Sequence, residues 1–579
     1  MKIESVFLPL DRMLSDWAKD AFEKAWPDAV GQIPAMSVVQ TTSSGFGDYQ
    51  CNAAMAVAKF VKKSPRDVAK AVIDGSVLHE SIERAEIAGP GFINLHLKAV
   101  WLEKRLEAIV SDGRLCMPEI GAGQTVVMDY GSPNMCKPLH IGHLRSPNIG
   151  SALDRMHRFL GYRVIADNHL GDWGTQFGYT ILGYRHFGDK EALEKKPMEE
   201  LERIYVLSRE RGEQDAEWLS QCRQELVKLQ SGDPENVKLW KEFMDLSLRE
   251  LNRMYELLGV KYDLVRGESY YNDRLQGVVD LLISKGMAKV SEGALVVFLE
   301  EEKLPVAIVR KTDGGFNYMT TDLATIISRV EEFKPTKILY LTDERQQLHF
   351  NQLFAIARRL GINVALEHSW FGLMRLPDAV ISTRKGGAIR LEKLLEEAEE
   401  RALAVVLEQN PEIDPVRGQS VARAVGMGAV KYADLSQNPQ SEVVFTWDKA
   451  LALNGNSAPY LQYAYARISS VRDKYSERFP DGKLDAHPIR IIDPLEKGLA
   501  LRVARFPETL IRAVDNCKPS TLADYLFDLA QAYSSYYQNV PFLKAAEGVR
   551  ESRVRLCGTV AQVLCKGLEL LGIDAPERI

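Results

Sequence analysis

The chain has 579 residues, 46% of them hydrophobic and 26% charged, with a formal net charge of −6 at neutral pH. That length holds about three or four domains, and the composition is that of packed cores rather than a disordered chain. The acidic balance excludes a generally basic nucleic-acid coat protein, while leaving room for a local basic groove.

Residues 1–98 read as a self-contained α/β unit. Helix-like stretches at Asp11–Ala25 and Asn52–Lys62 lead to a strand-like Ala85–Ala88, a Gly89-Pro90-Gly91 turn and the run Phe92–Leu97. A helical linker, Ala99–Ser111, ends near Gly113. Strand–helix alternation begins at Gln124, with Val126–Met128 and Val164–Ala166 as strands, within a unit of residues 115–414. Helix-rich, charged sequence from Leu193 to Leu258 interrupts it as an insertion. Strand candidates return at Ala294–Leu299, Val306–Val309 and Ile338–Leu341, the order expected of a doubly wound nucleotide fold split by an insert. From Pro415 to Ile579 long amphipathic patterns predict an all-helical domain. No apolar run approaches the roughly 20 residues of a membrane span. The N-terminus is charged too early for a signal peptide.

The seven cysteines, at 51, 116, 136, 222, 517, 557 and 565, form no Cys-x-x-Cys pair and no Cys/His cluster at zinc spacing. They predict reduced thiols in a cytoplasmic protein with no structural metal.

The most informative stretch is Ser132–Arg145, Ser-Pro-Asn-Met-Cys-Lys-Pro-Leu-His-Ile-Gly-His-Leu-Arg. A strand runs into a Pro-broken loop that delivers His140 and His143 at a helix start, three residues apart and so on one face. Gly142 lets a base or phosphate approach the backbone, the helix N-terminus favours an anion, and Lys137 adds a cation. The block Asp167–Gly178 follows a strand and places three glycines among Asp, Trp and Gln, which suits a loop over a ligand. In Asp313–Ala324, Tyr318 stands four residues before Asp322. A carboxylate at a pocket floor is what a guanidinium needs, because its planar fork pairs bidentately. The bland alternative makes Asp322 a helix cap. Ile381–Leu391 is a basic, glycine-containing loop before a helix, able to reach over triphosphate oxygens. In Gly455–Arg467 tyrosines recur at helical spacing; most read as core, with Tyr460, Tyr463 and Arg467 the candidates for stacking on bases.

The segments together resemble arginyl-tRNA synthetases, in at least six blocks from Gly47 to Ile579. Ser132–Arg145 is similar to the HIGH signature of class I synthetases, and Asp167–Gly178 to the Asn-His-x-Gly-Asp-Trp-Gly-Thr-Gln-Phe-Gly block of that family. Ile381–Leu391 is similar to its degenerate KMSKS loop, with Ser382 in place of the first lysine and Lys385 at the fourth position. The resemblance implies a multidomain α/β fold. A class I Rossmann-like catalytic domain with a helical insertion would stand between an N-terminal α/β domain touching the tRNA elbow and an all-α anticodon-binding domain. It implies the joining of L-arginine to its tRNA through an arginyl-adenylate, with ATP as substrate, Mg²⁺ carried on the ATP, and a monomeric enzyme. Lys137, His140, His143 and Lys385 would be catalytic, and Gly142, Thr383 and Arg384 would join the last three in holding ATP. Arginine would lie against Asp129, Ser132, Asn134, Tyr318, Asp322 and Gln346; tRNA against Phe92, Asn94, Tyr460, Tyr463 and Arg467. Pro147 and Ser151 depart from the family, so the helix behind the loop either starts late or bends at Pro147. The rivals are a small-molecule nucleotidyltransferase, a catalytically silent tRNA-binding relative, and a class Ia synthetase of another specificity.

Overall fold

A computed structural model of the chain describes residues 5–34, 37–41, 44–377 and 389–579. The first unit is built on β1 (Val38–Gln40), β2 (Tyr49–Cys51), β3 (Ile82–Ala88) and β4 (Phe92–Leu97), an antiparallel sheet ordered β1-β2-β4-β3. Alternation along β4 turns Ile93, Leu95 and Leu97 inward onto Phe22, Val57 and Val72 from three helices. It leaves Phe92, Asn94 and His96 on the opposite face. The core is completed from outside the unit, by Leu501 and Ala504 of the C-terminal region.

Eight strands follow: β5 (Thr125–Asp129), β6 (Arg163–Asn168), β7 (Leu264–Val265), β8 (Ala288–Ser291), β9 (Ala294–Val297), β10 (Ala307–Arg310), β11 (Lys337–Tyr340) and β12 (Ala365–His368). Five form a parallel sheet in the order β12-β11-β5-β6-β7. Val126 and Met128 face one core, with Leu153 and Met156 of the helix Arg145–Phe159; Val127 faces another, with Leu323 and Ile326 of the helix Tyr318–Phe333. Cover on both faces explains the near-continuous apolar strands. The strand order reverses between β5 and β11, and a doubly wound sheet opens its ligand crevice beyond the carboxyl ends at such a point.

Two expected strands belong elsewhere. The runs 294–299 and 306–309 contribute β9 and β10 to a separate antiparallel sheet with β8. The reason is the turn Glu292-Gly293, both at positive φ (49° and 80°), which is the geometry of a two-residue hairpin.

The insertion consists of helices Lys190–Lys195, Pro197–Gln214, Ala216–Gln230 and Pro234–Leu257. Asp189, Asp215 and Asp233 cap three of them by accepting from first-turn N–H groups. The C-terminal region holds the helices Pro415–Leu435, Ala458–Arg478, Pro494–Ala504, Phe506–Asp515, Pro519–Asn539 and Val549–Leu570. It is not helical throughout: β13 (Met374–Arg375) pairs in parallel with β14 (Val443–Val444). Among the described residues no helix is long and apolar enough to cross a membrane.

Candidate active site

The chain leaves β5 at the reversal point and returns as a short turn, Ile141–His143, before the helix Arg145–Phe159. His140 Nδ1 accepts from the Gly142 N–H at 3.1 Å, and His143 Nδ1 accepts from the His140 N–H at 3.1 Å. Each neutral ring therefore carries its proton on Nε2, free to donate to a ligand. The ring centroids lie 3.8 Å apart. A Cβ on Gly142 would sit 2.9 Å from the His140 ring, so glycine lets that ring stay where it meets His143 at a tilt of 45°. Burial pushes His140 down to about 4, with Lys137 adding repulsion, and His143 down to about 3, with His140 and then Lys137 adding to it. The pair is thus a set of neutral donors at physiological pH, not a cationic one. Pro147 falls in the first turn, where its missing N–H costs nothing, and the helix continues to Phe159. Ser151 Oγ donates to the Asn148 carbonyl and accepts from Arg155, both at 3.3 Å.

Lys137 lies with its Nζ 4.2 Å from the ring centre of Tyr205, on the insertion. The chain resuming at Ile389 pairs with the histidine loop: the Ile141 N–H donates to the Ile389 carbonyl at 3.1 Å and the Leu391 N–H to the Leu139 carbonyl at 2.9 Å. Thr383, Arg384 and Lys385 lie outside the described residues.

A second cluster is acidic. Asp322 Oδ2 lies 2.6 Å from His349 Nε2, and Oδ1 lies 3.8 Å from His169 Nε2. Asp322 is no cap; Asn317 caps that helix by accepting from the Tyr318 N–H. Tyr318 is 62% exposed and packs edge-on against His349, their centroids 5.0 Å apart. Glu268 is a carboxylate that the sequence did not single out. Burial pushes it up to about 7; His169 opposes the shift, and the charges of Asp322 and Asp172 add to it. Beneath lie buried polar atoms with no partner among the described residues, including Asp167 Oδ1, Asn168 Nδ2, Arg329 Nη1, Tyr271 OH and Tyr340 OH. Such atoms are costly to bury unless a ligand or water meets them.

Asp129, expected against the arginine, is engaged within the fold. It is buried, Oδ2 accepts from Arg329 Nη2 at 2.7 Å, and Oδ1 accepts from Ser132 Oγ at 2.9 Å. Arg329, wholly buried, also bonds Asp167 at 2.9 Å, so an internal guanidinium already occupies this strand end. Ser132 is held by that bond and by Asn168, which accepts its N–H at 2.9 Å. Asn134 bridges to Gly171 with its side chain exposed, and Gln346 is exposed in the turn before the helix carrying His349.

The outer surfaces are partly built. Phe92 and Asn94 share a sheet face, though Asn94 is covered and accepts from Gln50 at 2.8 Å. Tyr460 is engaged with Phe527 and with Ser534 Oγ at 3.2 Å. Tyr463 is half-buried with an unpartnered hydroxyl among the described residues, and exposed Arg467 lies 5.5 Å from the Tyr537 ring centre.

Sequence comparison matches residues 14–97 to the arginyl tRNA synthetase N-terminal domain, 105–447 to the catalytic domain of class I (R) tRNA synthetases, and 461–579 to the DALR anticodon binding domain. An arginine–tRNA ligase of Fusobacterium nucleatum is 43% identical over 563 residues, covering 97% of this chain and 98% of the relative. One of Chromobacterium violaceum is 42% identical over 95% of this chain and 97% of its own length. The solved arginyl-tRNA synthetase of Thermus thermophilus superposes with a TM-score of 0.84 at 25% identity, covering 98% of this chain and all of that one. That of Plasmodium falciparum gives 0.83, also at 25% identity, over 98% and 99%. With a matched model for each part of the chain and relatives of this identity over nearly its whole length, the chain belongs to the arginyl-tRNA synthetase family.

Proposed function

We propose that the two clusters of this cleft divide one reaction between them, the histidine loop taking ATP and the acidic pocket taking arginine. The reaction is the ATP-dependent joining of L-arginine to its tRNA through an arginyl-adenylate, releasing AMP and diphosphate. His140 and His143 present two Nε2–H donors to the phosphates, and Gly142 admits the adenosine. Lys137, with Lys385 from the other signature segment, meets the charge that develops as diphosphate departs. Thr383 and Arg384 belong to the same ATP contact. Mg²⁺ arrives on the triphosphate. Positioning and charge stabilisation carry such a step, with little covalent work for the protein.

The guanidinium of arginine lies against Asp322 and Glu268, with Tyr318 over it. Asn134, Ser132 and Gln346 line the approach. The paired carboxylates are the observation that carries this reading: Asp322 stands between two histidines, and Glu268 is close enough to feel its charge. Phe92, Asn94, Tyr463 and Arg467 serve the tRNA on the outer domains, with Tyr460 supporting the helix that bears the last two. The enzyme acts as a monomer in the cytoplasm, a setting supported by the chain's seven free cysteines, six of them buried.

The test is Asp322→Ala. Removing one partner of a desolvated charge pair costs about 3–5 kcal/mol, so KM for arginine should rise by at least about a hundredfold while KM for ATP holds. An unchanged KM for arginine would sink the pocket assignment.

A further inference from the structure

We propose that Asp434 is a positioning residue for the active-site helix, and that the C-terminal helices act through it on the His140–His143 end of the cleft. This rests on the reading that those helices take the tRNA. Arg145, two residues beyond His143, is fully buried. Its Nε donates to Asp434 Oδ1 at 2.8 Å, and its Nη1 donates to the carbonyls of Gly372 at 2.5 Å and Ser441 at 3.1 Å. Asn148, three residues on and so on the same helix face, donates to Asp434 Oδ2 at 2.9 Å and to the Lys431 carbonyl at 3.1 Å. Both oxygens of Asp434 are held by side chains of the active-site helix.

Asp434 stands near the end of the helix Pro415–Leu435, whose adjacent residues hold the C-terminal region. Lys431 Nζ donates to the Gly572 carbonyl at 2.7 Å. Tyr432 OH donates to Asn456 Oδ1 at 2.6 Å and to the Ala523 carbonyl at 3.0 Å. Within residues 431–434 the chain bonds on one side to 456, 523 and 572, and on the other to Arg145 and Asn148. A displacement of the C-terminal helices therefore has a hydrogen-bonded route to the histidine end of that helix through one short stretch, alongside the direct packing of the helices Phe506–Asp515, Pro519–Asn539 and Val549–Leu570 on it. The same guanidinium fixes the start of β13, since Gly372 lies so close to Ser441 that a Cβ would sit 2.8 Å from its carbonyl oxygen.

Breaking a buried ion pair destabilises a fold, whereas replacing both partners by apolar groups of similar volume is often neutral. That difference separates a positioning role from a merely structural one. Asp434→Asn and the double variant Arg145→Met/Asp434→Leu are compared with the native chain for tRNA charging with labelled arginine, and for thermal melting. Asp434→Asn is expected to lower kcat about tenfold or more, with KM for tRNA within about twofold. The apolar double variant, which leaves no buried charge unpaired, is expected to melt above Asp434→Asn and keep the low kcat. Recovery of kcat together with the melting temperature would overturn the proposal, as would a native kcat in Asp434→Asn. Should the double variant fail to fold, Asp434→Asn, nearly isosteric, decides the matter by its split of kcat from KM. The underlying reading has a separate arm: Tyr463→Ala and Arg467→Ala should raise KM for tRNA, and if they do not, that reading fails whatever Asp434 does.

Discussion

Glu268 is the carboxylate in the cleft whose charge changes nearest neutrality, since burial pushes it up to about 7. Below that pH it is neutral and offers a guanidinium no charge; above it, Glu268 is ionised and adds a negative charge to the pocket. Bound arginine, a cation, lowers the pKa of Glu268, so binding releases a proton and affinity climbs with pH through this range. KM for arginine should therefore rise as pH falls from about 8 to about 6, and Glu268→Gln should abolish that limb while raising KM at the alkaline end. A KM indifferent to pH over that span would remove Glu268 from the pocket. The histidines add no such limb to KM for ATP, their pKa values being held down at about 4 and 3. Their pairing was legible because it is local, with ring, glycine and ring inside four residues. Glu268 was not, because only the end of β7 brings it to the loop after β6, where Asp172 accepts from the Ser269 N–H at 2.9 Å and from its hydroxyl at 2.6 Å. The bond between Asp129 and Arg329 was not legible for the same reason: the two are 200 residues apart.

At the scale of elements, the insertion reaches both signature segments. Tyr205 carries Lys137 on its ring. Glu199 and Glu202 pair with Arg390 at 3.3 and 2.9 Å, and Arg253 pairs with Glu392, so the first turn of the helix Leu391–Gln409 is tied to the same helices. A cation over an aromatic face is worth about 0.5–2 kcal/mol, and Lys137 without it would sample many rotamers. Tyr205→Leu should slow adenylate formation about two- to thirtyfold, while Tyr205→Phe, which keeps the ring face, should retain most of the rate. In a Lys137→Ala background the leucine change should add nothing, because its effect runs through the lysine. Single-turnover rates showing simple additivity would mean that Tyr205 acts by another route. The insertion was readable as helix-rich, charged sequence breaking the strand–helix alternation. What its helices cover was not, since cation–aromatic contact leaves no spacing in the sequence. The β8–β10 sheet escaped for the opposite reason, a local one: a Glu-Gly turn is a weaker hairpin signal than Asn-Gly or Asp-Gly.

At the scale of the whole molecule, the order of the parts was legible because each block is contiguous, whereas their docking depends on contacts between residues hundreds apart. Glu508, on the helix Phe506–Asp515, is the centre of one such contact. It accepts from the Asp11 N–H at 2.9 Å, from Tyr49 OH at 3.0 and 3.1 Å, and from the Gln40 amide. Beside it Arg505 donates to the Asp48 carbonyl at 2.5 Å, and Lys497 pairs with the Asp48 carboxylate at 3.2 Å. Through this clasp the N-terminal sheet is held against the C-terminal helices by its inner face, which leaves the face carrying Phe92 and Asn94 turned away from the joint. A tRNA that meets both surfaces gains from having them fixed, because the second contact is then made at high effective concentration. Glu508→Ala strands three donors in a buried joint, each costing about 1–3 kcal/mol, while leaving the cleft untouched. The expected result is early proteolytic cutting between the N-terminal unit and the rest, with KM for tRNA raised about tenfold and KM for arginine and ATP unchanged. Tyr49→Phe, which removes one donor to Glu508 and only the long 3.4 Å bond that the hydroxyl accepts from Arg505 Nε, should do markedly less. Undocking without any change in KM for tRNA would mean that the N-terminal face does not hold the tRNA. An unaltered cleavage pattern would mean that the apolar contact at Leu501 and Ala504 suffices to hold the unit in place.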